Sequence, residues 1–149
     1  MRLYRLGSAR HPVWDGAGAA LVGGRWNVPG EAVIYAAGSL ALAMLERLVQ
    51  RQNLGGTLLV AAEAPDHLLV EYLTDPPPGW RELGSPEAAA LGTAWLRSGR
   101  TALLAVPSAV VPREHNFLVN PAHPEAARIA VDAPAALVWD ARLFGIPAP

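Results

Sequence analysis

A chain of 149 residues, 52% of them hydrophobic, is expected to form one domain spanning residues 1–149, and folding at that size buries roughly 70% of the surface that an unfolded chain exposes. A formal net charge of −1 excludes the basic field that drives general nucleic-acid binding, so no direct nucleic-acid contact is expected. The absence of Cys excludes disulfides and thiolate metal sites, and no apolar run approaches the ~20 residues of a membrane span.

The opening "MRLYRLGSARHP" has no signal-peptide core, which makes a soluble, cytoplasmic protein the expectation. All 12 basic residues are Arg. Every cationic contact is therefore a planar fork suited to carboxylate or phosphate. In chain order, "RLYRL" at 2–6 reads as a strand, and 7–24 as a Gly- and Ala-rich loop. Pro29-Gly30 suits the centre of a type II turn. "AVIYAA" at 32–37 is apolar at alternate and intervening positions alike, which predicts a central strand covered on both sides. Ser39 is a candidate N-cap for a helix over 40–52, with Leu42, Leu45, Leu48 and Val49 as its core stripe.

Beyond it, "GTLLVAAEA" and "LLVEYL" read as strands and "DPPPG" at 75–79 as a turn. "SPEAAALGTAWLRSG" predicts a helix with Ser85 as N-cap, Pro86 in the first position and Gly99 after the end. "TALLAVPSAVV" reads as a strand that breaks or runs along an edge at Pro107. "NFLVN", "ARIAVD" and "ALVWD" read as further strands. Roughly eight short strands and two helices that do not alternate regularly favour an α+β fold over a doubly wound sheet.

Three side chains stand out between residues 23 and 46. Arg25 follows a Gly pair, where backbone can approach a ligand and a guanidinium can clamp phosphate; a surface ion pair is the plainer alternative. Tyr35 sits mid-strand, so its ring is expected in the interior and its hydroxyl needs a partner; stacking on an aromatic ligand is the sharper reading. Glu46 borders the apolar stripe, and Gln50, four residues on, offers no helical ion pair. It is either a boundary residue or a site residue. Ser108 lacks the Gly neighbours of a nucleophile elbow, since Val stands at 106 and 110. "GAGAAL" is only a fragment of a dinucleotide fingerprint, and the four His have no metal-ligand spacing.

Together these stretches resemble the RES domain, the toxin component of RES–Xre toxin–antitoxin systems. The resemblance rests on "GGRWN" with Arg25, "IYAA" with Tyr35, "LAMLERLV" with Glu46 and "LLAVPSAVV" with Ser108. "NFLVNPAHP" is similar to the family's Asn-containing segment, with Asn116 as the counterpart, and "WDARLF" to the family's end. The order of elements matches from about residue 3 to 143. The resemblance implies a compact fold like that of ADP-ribosyltransferases and an NAD⁺ glycohydrolase or NAD⁺ phosphorylase activity, with NAD⁺ as substrate and no separate cofactor or metal. It also implies a cognate antitoxin with a helix-turn-helix domain of the Xre type that blocks the active site, and it leaves a homodimer within that complex open.

That chemistry accounts for the residues. Arg25 would hold phosphate, and Tyr35 would stack on the cationic nicotinamide for roughly 0.5–2 kcal/mol. Glu46 would stabilise the positive charge that develops on the ribose as the glycosidic bond breaks. Ser108 would orient a phosphate or ribose group, and Asn116 would contact substrate. Two alternatives stand beside this reading: an ADP-ribosyltransferase that modifies a macromolecule, and a non-catalytic interaction domain.

Overall fold

In the computed structural model, which describes residues 1–50 and 54–145, eight strands form one sheet and three α-helices pack against it. The fold is α+β. The strands are β1 (Arg2–Ser8), β2 (Ile34–Ala37), β3 (Thr57–Glu63), β4 (Val70–Tyr72), β5 (Leu103–Pro107), β6 (His115–Val119), β7 (Ala130–Val131) and β8 (Ala135–Ala136). The sheet runs β4-β5-β6-β2-β1-β3-β7, with β8 also pairing with β3. All pairs are antiparallel except β4–β5. A parallel pair needs a crossover, and here it contains the helix α3 (Pro86–Ser98).

The predicted caps hold. Ser39 Oγ accepts from Leu42 N at 3.1 Å and opens α2 (Leu40–Val49). Ser85 Oγ accepts from Ala88 N at 3.4 Å, and Gly99 closes α3 at φ +58°. Gly30, at φ +96°, sits third in a turn in which Glu31 N–H donates to the Val28 carbonyl, as a type II turn requires. The strand predicted at 32–37 pairs as β2 and is central, lying between β1 and β6. Pro107 is the last residue of β5 and falls at a position that does not donate to β6, so its missing N–H leaves the pairing intact.

Four expectations need correction. The stretch 7–24 is not all loop: Ala17–Val22 forms a short helix, α1, tied by Asn27 Nδ2 to the Ala19 carbonyl and by Gly30 N to the Ala20 carbonyl. The helix expected over 40–52 ends at Val49 within the described residues, and 51–53 lie outside them. Its apolar stripe is also displaced. Leu42 and Ala43 are buried, whereas Leu45 is 41% and Val49 56% exposed. The packed face runs through 39, 42, 43 and 46, the i, i+3/i+4, i+7 row, which turns Glu46 inward. Finally, "ARIAVD" contributes only two paired residues and "ALVWD" only one, Ala136, because Arg128 closes a 3-10 turn and the last strands skirt the edge of β3.

Alternation sorts the core onto two faces of the sheet. Leu3, Ile34, Ala36, Ala105, Phe117 and Val119 lie on one. Leu104, Val106 and Leu118 lie on the other, under α3 and Trp26, and Ala37 lies beneath α2. Trp95 is fully buried there and donates its indole N–H to Thr101 Oγ1 at 3.0 Å, which satisfies the one polar atom that burial would leave stranded.

Candidate functional site

Cross-strand partners share a face. Tyr35 pairs with Leu118, Ala37 with Asn116, and Asn116 with Val106. Tyr35 and Asn116 therefore point to the helical side of the sheet. Ser108 lies two residues beyond Val106 and continues the ladder, its N–H donating to the Glu114 carbonyl at 2.9 Å. It points the same way.

Above Tyr35 sits a four-residue turn, Gly24-Arg25-Trp26-Asn27, closed by Gly24 N–H donating to the Asn27 carbonyl at 2.9 Å. The Tyr35 hydroxyl accepts from Trp26 N at 3.0 Å and donates to Asn27 Oδ1 at 2.7 Å. Asn27 is itself 1% exposed, and its Nδ2 donates to the carbonyls of Ala19, Val28 and Glu31. One amide thus knots α1, the type II turn and β2 together. A Cβ on Gly24 would stand 2.6 Å from the Tyr35 hydroxyl, and one on Gly92 of α3 would stand 2.0 Å from the Trp26 carbonyl. Both glycines exist because the turn is pressed between β2 and α3. Burial pushes the Tyr35 phenol up to about 12, against the Trp26 N–H and the nearby charges of Arg25 and Arg5.

Arg25 extends from this turn. Its Nη1 donates to the carbonyls of Trp80 (2.7 Å) and Glu82 (2.9 Å), and its Nε and Nη2 have no partner among the described residues. Trp80 in turn stacks on Trp26, centroids 5.9 Å apart. The plainer reading of Arg25, a surface ion pair, does not describe it: no carboxylate meets it among the described residues.

The second half of the site is built around Glu46. Its Oε1 accepts from Ser108 Oγ at 2.7 Å and from Asn116 Nδ2 at 2.6 Å, and Oε2 has no partner among the described residues. Ser108 is fully buried; its Oγ also accepts from the N–H groups of Val110 and Val111 at 3.1 and 3.0 Å. One donor and two acceptor positions are thereby filled. This differs from the expectation that Ser108 reaches a ligand, because its hydrogen-bonding capacity is used inside the protein. The same holds for the Tyr35 hydroxyl, which leaves only the partly exposed ring for a ligand.

The structure therefore joins Glu46, Ser108 and Asn116 in one hydrogen-bonded group. Arg25 and Tyr35 form a second group on the same sheet face, linked to it through β2 and β6. Two supporting residues escape a reading of the sequence. Asn27 shows no pattern that separates it from any other turn residue. Arg5 interrupts the apolar strand "RLYRL", which is a signal. Its Nε donates to the Val13 carbonyl at 2.5 Å and its Nη1 to the Tyr35 carbonyl at 2.7 Å, where β1 and β2 have parted. Burial lowers its basicity, with Asp15 opposing. A depression of about 370 Å³ opens on the opposite face, lined by Trp14, Ile34, Val119 and the 121–127 segment. Its lining is mostly apolar, with His123 as the one ionisable side chain.

Comparison with known proteins bears on the family and the fold. The family model described as RES domain matches residues 2–140. A protein of Sphingobium sp. (strain YBL2) named "Prs ADP-ribosylating toxin" is 44% identical over 138 residues, 87% of this chain and 86% of its own. A "Toxin Res" of Yersinia enterocolitica is 42% identical, with 83% and 86% covered, and one of Pseudomonas putida 39%, with 87% and 92% covered. Among solved structures, a chain of the Mycobacterium tuberculosis MbcT-MbcA toxin-antitoxin complex superposes with a TM-score of 0.70 at 22% identity, covering 91% of this chain and 83% of that one. That likeness concerns the fold.

Proposed function

Because the chain belongs to the RES domain family, we propose that it is the toxin of a toxin–antitoxin pair and that it consumes NAD⁺ by cleaving the bond between nicotinamide and ribose. One observation carries the reading: Ser108 and Asn116 both hold Glu46 Oε1, which leaves Oε2 open on the face that also presents Tyr35 and the Arg25 turn. A carboxylate fixed at one oxygen and open at the other is suited to a developing cation.

In this mechanism the open edge of Arg25 grips the pyrophosphate. The Tyr35 ring lies against the nicotinamide. As the C–N bond breaks, its electron pair leaves with nicotinamide, which departs neutral and needs no proton. Positive charge grows on the ribose, and Glu46 stabilises it more in the transition state than in the ground state. Ser108 and Asn116 keep the carboxylate aimed, Ser108 without touching the sugar itself, and the remaining amide groups of Asn116 contact substrate. Water then gives ADP-ribose and one proton; inorganic phosphate gives ADP-ribose phosphate.

The relative named an ADP-ribosylating toxin favours a second reading, in which a macromolecule is the acceptor. The first bond broken is the same. The partner would be an Xre-type helix-turn-helix antitoxin seated over the site, where α2 exposes Leu45 and Val49 beside Glu46. Purified protein incubated with NAD⁺, with and without phosphate, tests all of this. Nicotinamide release is expected, and no release would overturn the enzymatic reading in favour of an interaction domain. Free ADP-ribose or its phosphate supports the first acceptor class, and label retained on a macromolecule the second.

A further inference from the structure

The geometry points to Arg81 as a second phosphate-binding cation of the same cleft, one that contacts the pyrophosphate of the dinucleotide; this rests on the NAD⁺ reading above. A pyrophosphate diester carries two negative charges, and Arg25 supplies one positive charge. Arg5 is the other guanidinium beside Tyr35, but it is buried and its Nε and Nη1 are committed to two carbonyls. A second exposed cation beside Arg25 would match the second charge.

Arg81 is placed to supply it. Arg25 Nη1 grips the carbonyls of Trp80 and Glu82, the residues on either side of Arg81. The Arg81 side chain crosses from this segment to the other half of the site, where its Nη2 donates to the Ala109 carbonyl at 3.0 Å, one residue beyond Ser108. Its Nε and Nη1 have no partner among the described residues, and the side chain is exposed. Two guanidinium groups thus bracket one three-residue segment. Each is oriented by backbone carbonyls and each retains free N–H groups, and between them they connect the Arg25 turn to the Glu46–Ser108 pair. Carbonyl-anchored forks are pre-oriented, which suits planar recognition of phosphate oxygens.

The test compares wild type, Arg81→Ala and Arg81→Lys, with Arg142→Ala as a control in which a local surface pair with Asp140 is removed. In Arg81→Ala the KM for NAD⁺ and the inhibition constant of inorganic pyrophosphate should both rise about tenfold, with kcat within about threefold. The inhibition constant of nicotinamide, which has no phosphate, should stay put, and Arg81→Lys should recover part of the loss. A pyrophosphate constant that moves less than about twofold overturns the inference. So do pyrophosphate and nicotinamide constants that shift together, because Arg81 would then only prop the Ser108 turn. An effect confined to the orthophosphate dependence of the rate overturns the assignment to the dinucleotide. If wild type releases no nicotinamide, the enzymatic reading fails on its own. Calorimetric titration with pyrophosphate, which needs no turnover, then decides Arg81 by whether wild type binds it about tenfold tighter than Arg81→Ala.

Discussion

Tyr35→Phe separates a bracing hydroxyl from a stacking ring. The substitution keeps the ring and removes only the oxygen that accepts from Trp26 N and donates to Asn27 Oδ1. Both partners lie in residues no more than 2% exposed, so water is poorly placed to replace the lost bonds. An unsatisfied buried polar group costs about 1–3 kcal/mol, and two of them, with some relaxation of the turn, come to about 2–4 kcal/mol. For a domain of this size each kcal/mol lowers Tm by about 2–4 °C; the expected fall is therefore roughly 5–15 °C by calorimetry or dye-monitored melting. Loosening the turn also frees Arg25 from its fixed aim, so the KM for NAD⁺ should rise by on the order of tenfold, more than kcat falls. A variant that melts within about 2 °C of wild type with unchanged KM would refute the bracing role and return Tyr35 to a purely aromatic one.

Three further outcomes follow. Glu46→Gln should reduce nicotinamide release by on the order of 10²–10³-fold, the size of other electrostatic transition-state contacts, while the melting curve stays close to wild type; near-normal turnover would remove Glu46 from the mechanism. Gly92→Ala places a Cβ 2.0 Å from the Trp26 carbonyl, and such overpacking should cost about 3 kcal/mol or more, read as a denaturation midpoint well below that of wild type. The raised Tyr35 phenol makes stability fall at high pH: below about 10 both folded and unfolded chains hold the proton, and between 10 and about 12 only the folded chain does, so unfolding releases it. Urea titrations across that window should show a steeper loss for wild type than for Tyr35→Phe, and parallel curves would contradict the burial of the hydroxyl.

Much of the scaffold is legible from local chemistry. Ser39, Ser85, Gly99 and the Pro29-Gly30 turn carry rules that depend on a few neighbouring residues, and each does what those rules dictate. The interior position of Tyr35, with a partnered hydroxyl, also follows from an apolar strand context. Long-range packing decides the rest. Nothing near residue 45 announces that Leu45 and Val49 face outward, because which face of α2 is covered depends on β1 and β2 beneath it. The family resemblance groups Glu46 with Ser108 and Asn116, but it does not show that Ser108 exhausts its hydrogen bonds on Glu46 and its own turn. Asn27 looks like an ordinary turn residue until three carbonyls from separate segments are seen to converge on its amide. The helix at 17–22 hides in a Gly- and Ala-rich stretch whose order comes from that same amide.

On the proposed mechanism, the Glu46 cluster would also set when a newly made chain becomes active. The donors to its carboxylate lie 62 and 70 residues further along. At about 5–20 residues per second, ribosomes take several seconds to cover that interval. Until β6 has emerged and docked, the polypeptide carries its carboxylate without the groups that aim it; on the mechanism proposed above, a growing or prematurely terminated product would be inert, and an inhibitor present by the time synthesis finishes would meet the chain before it had acted.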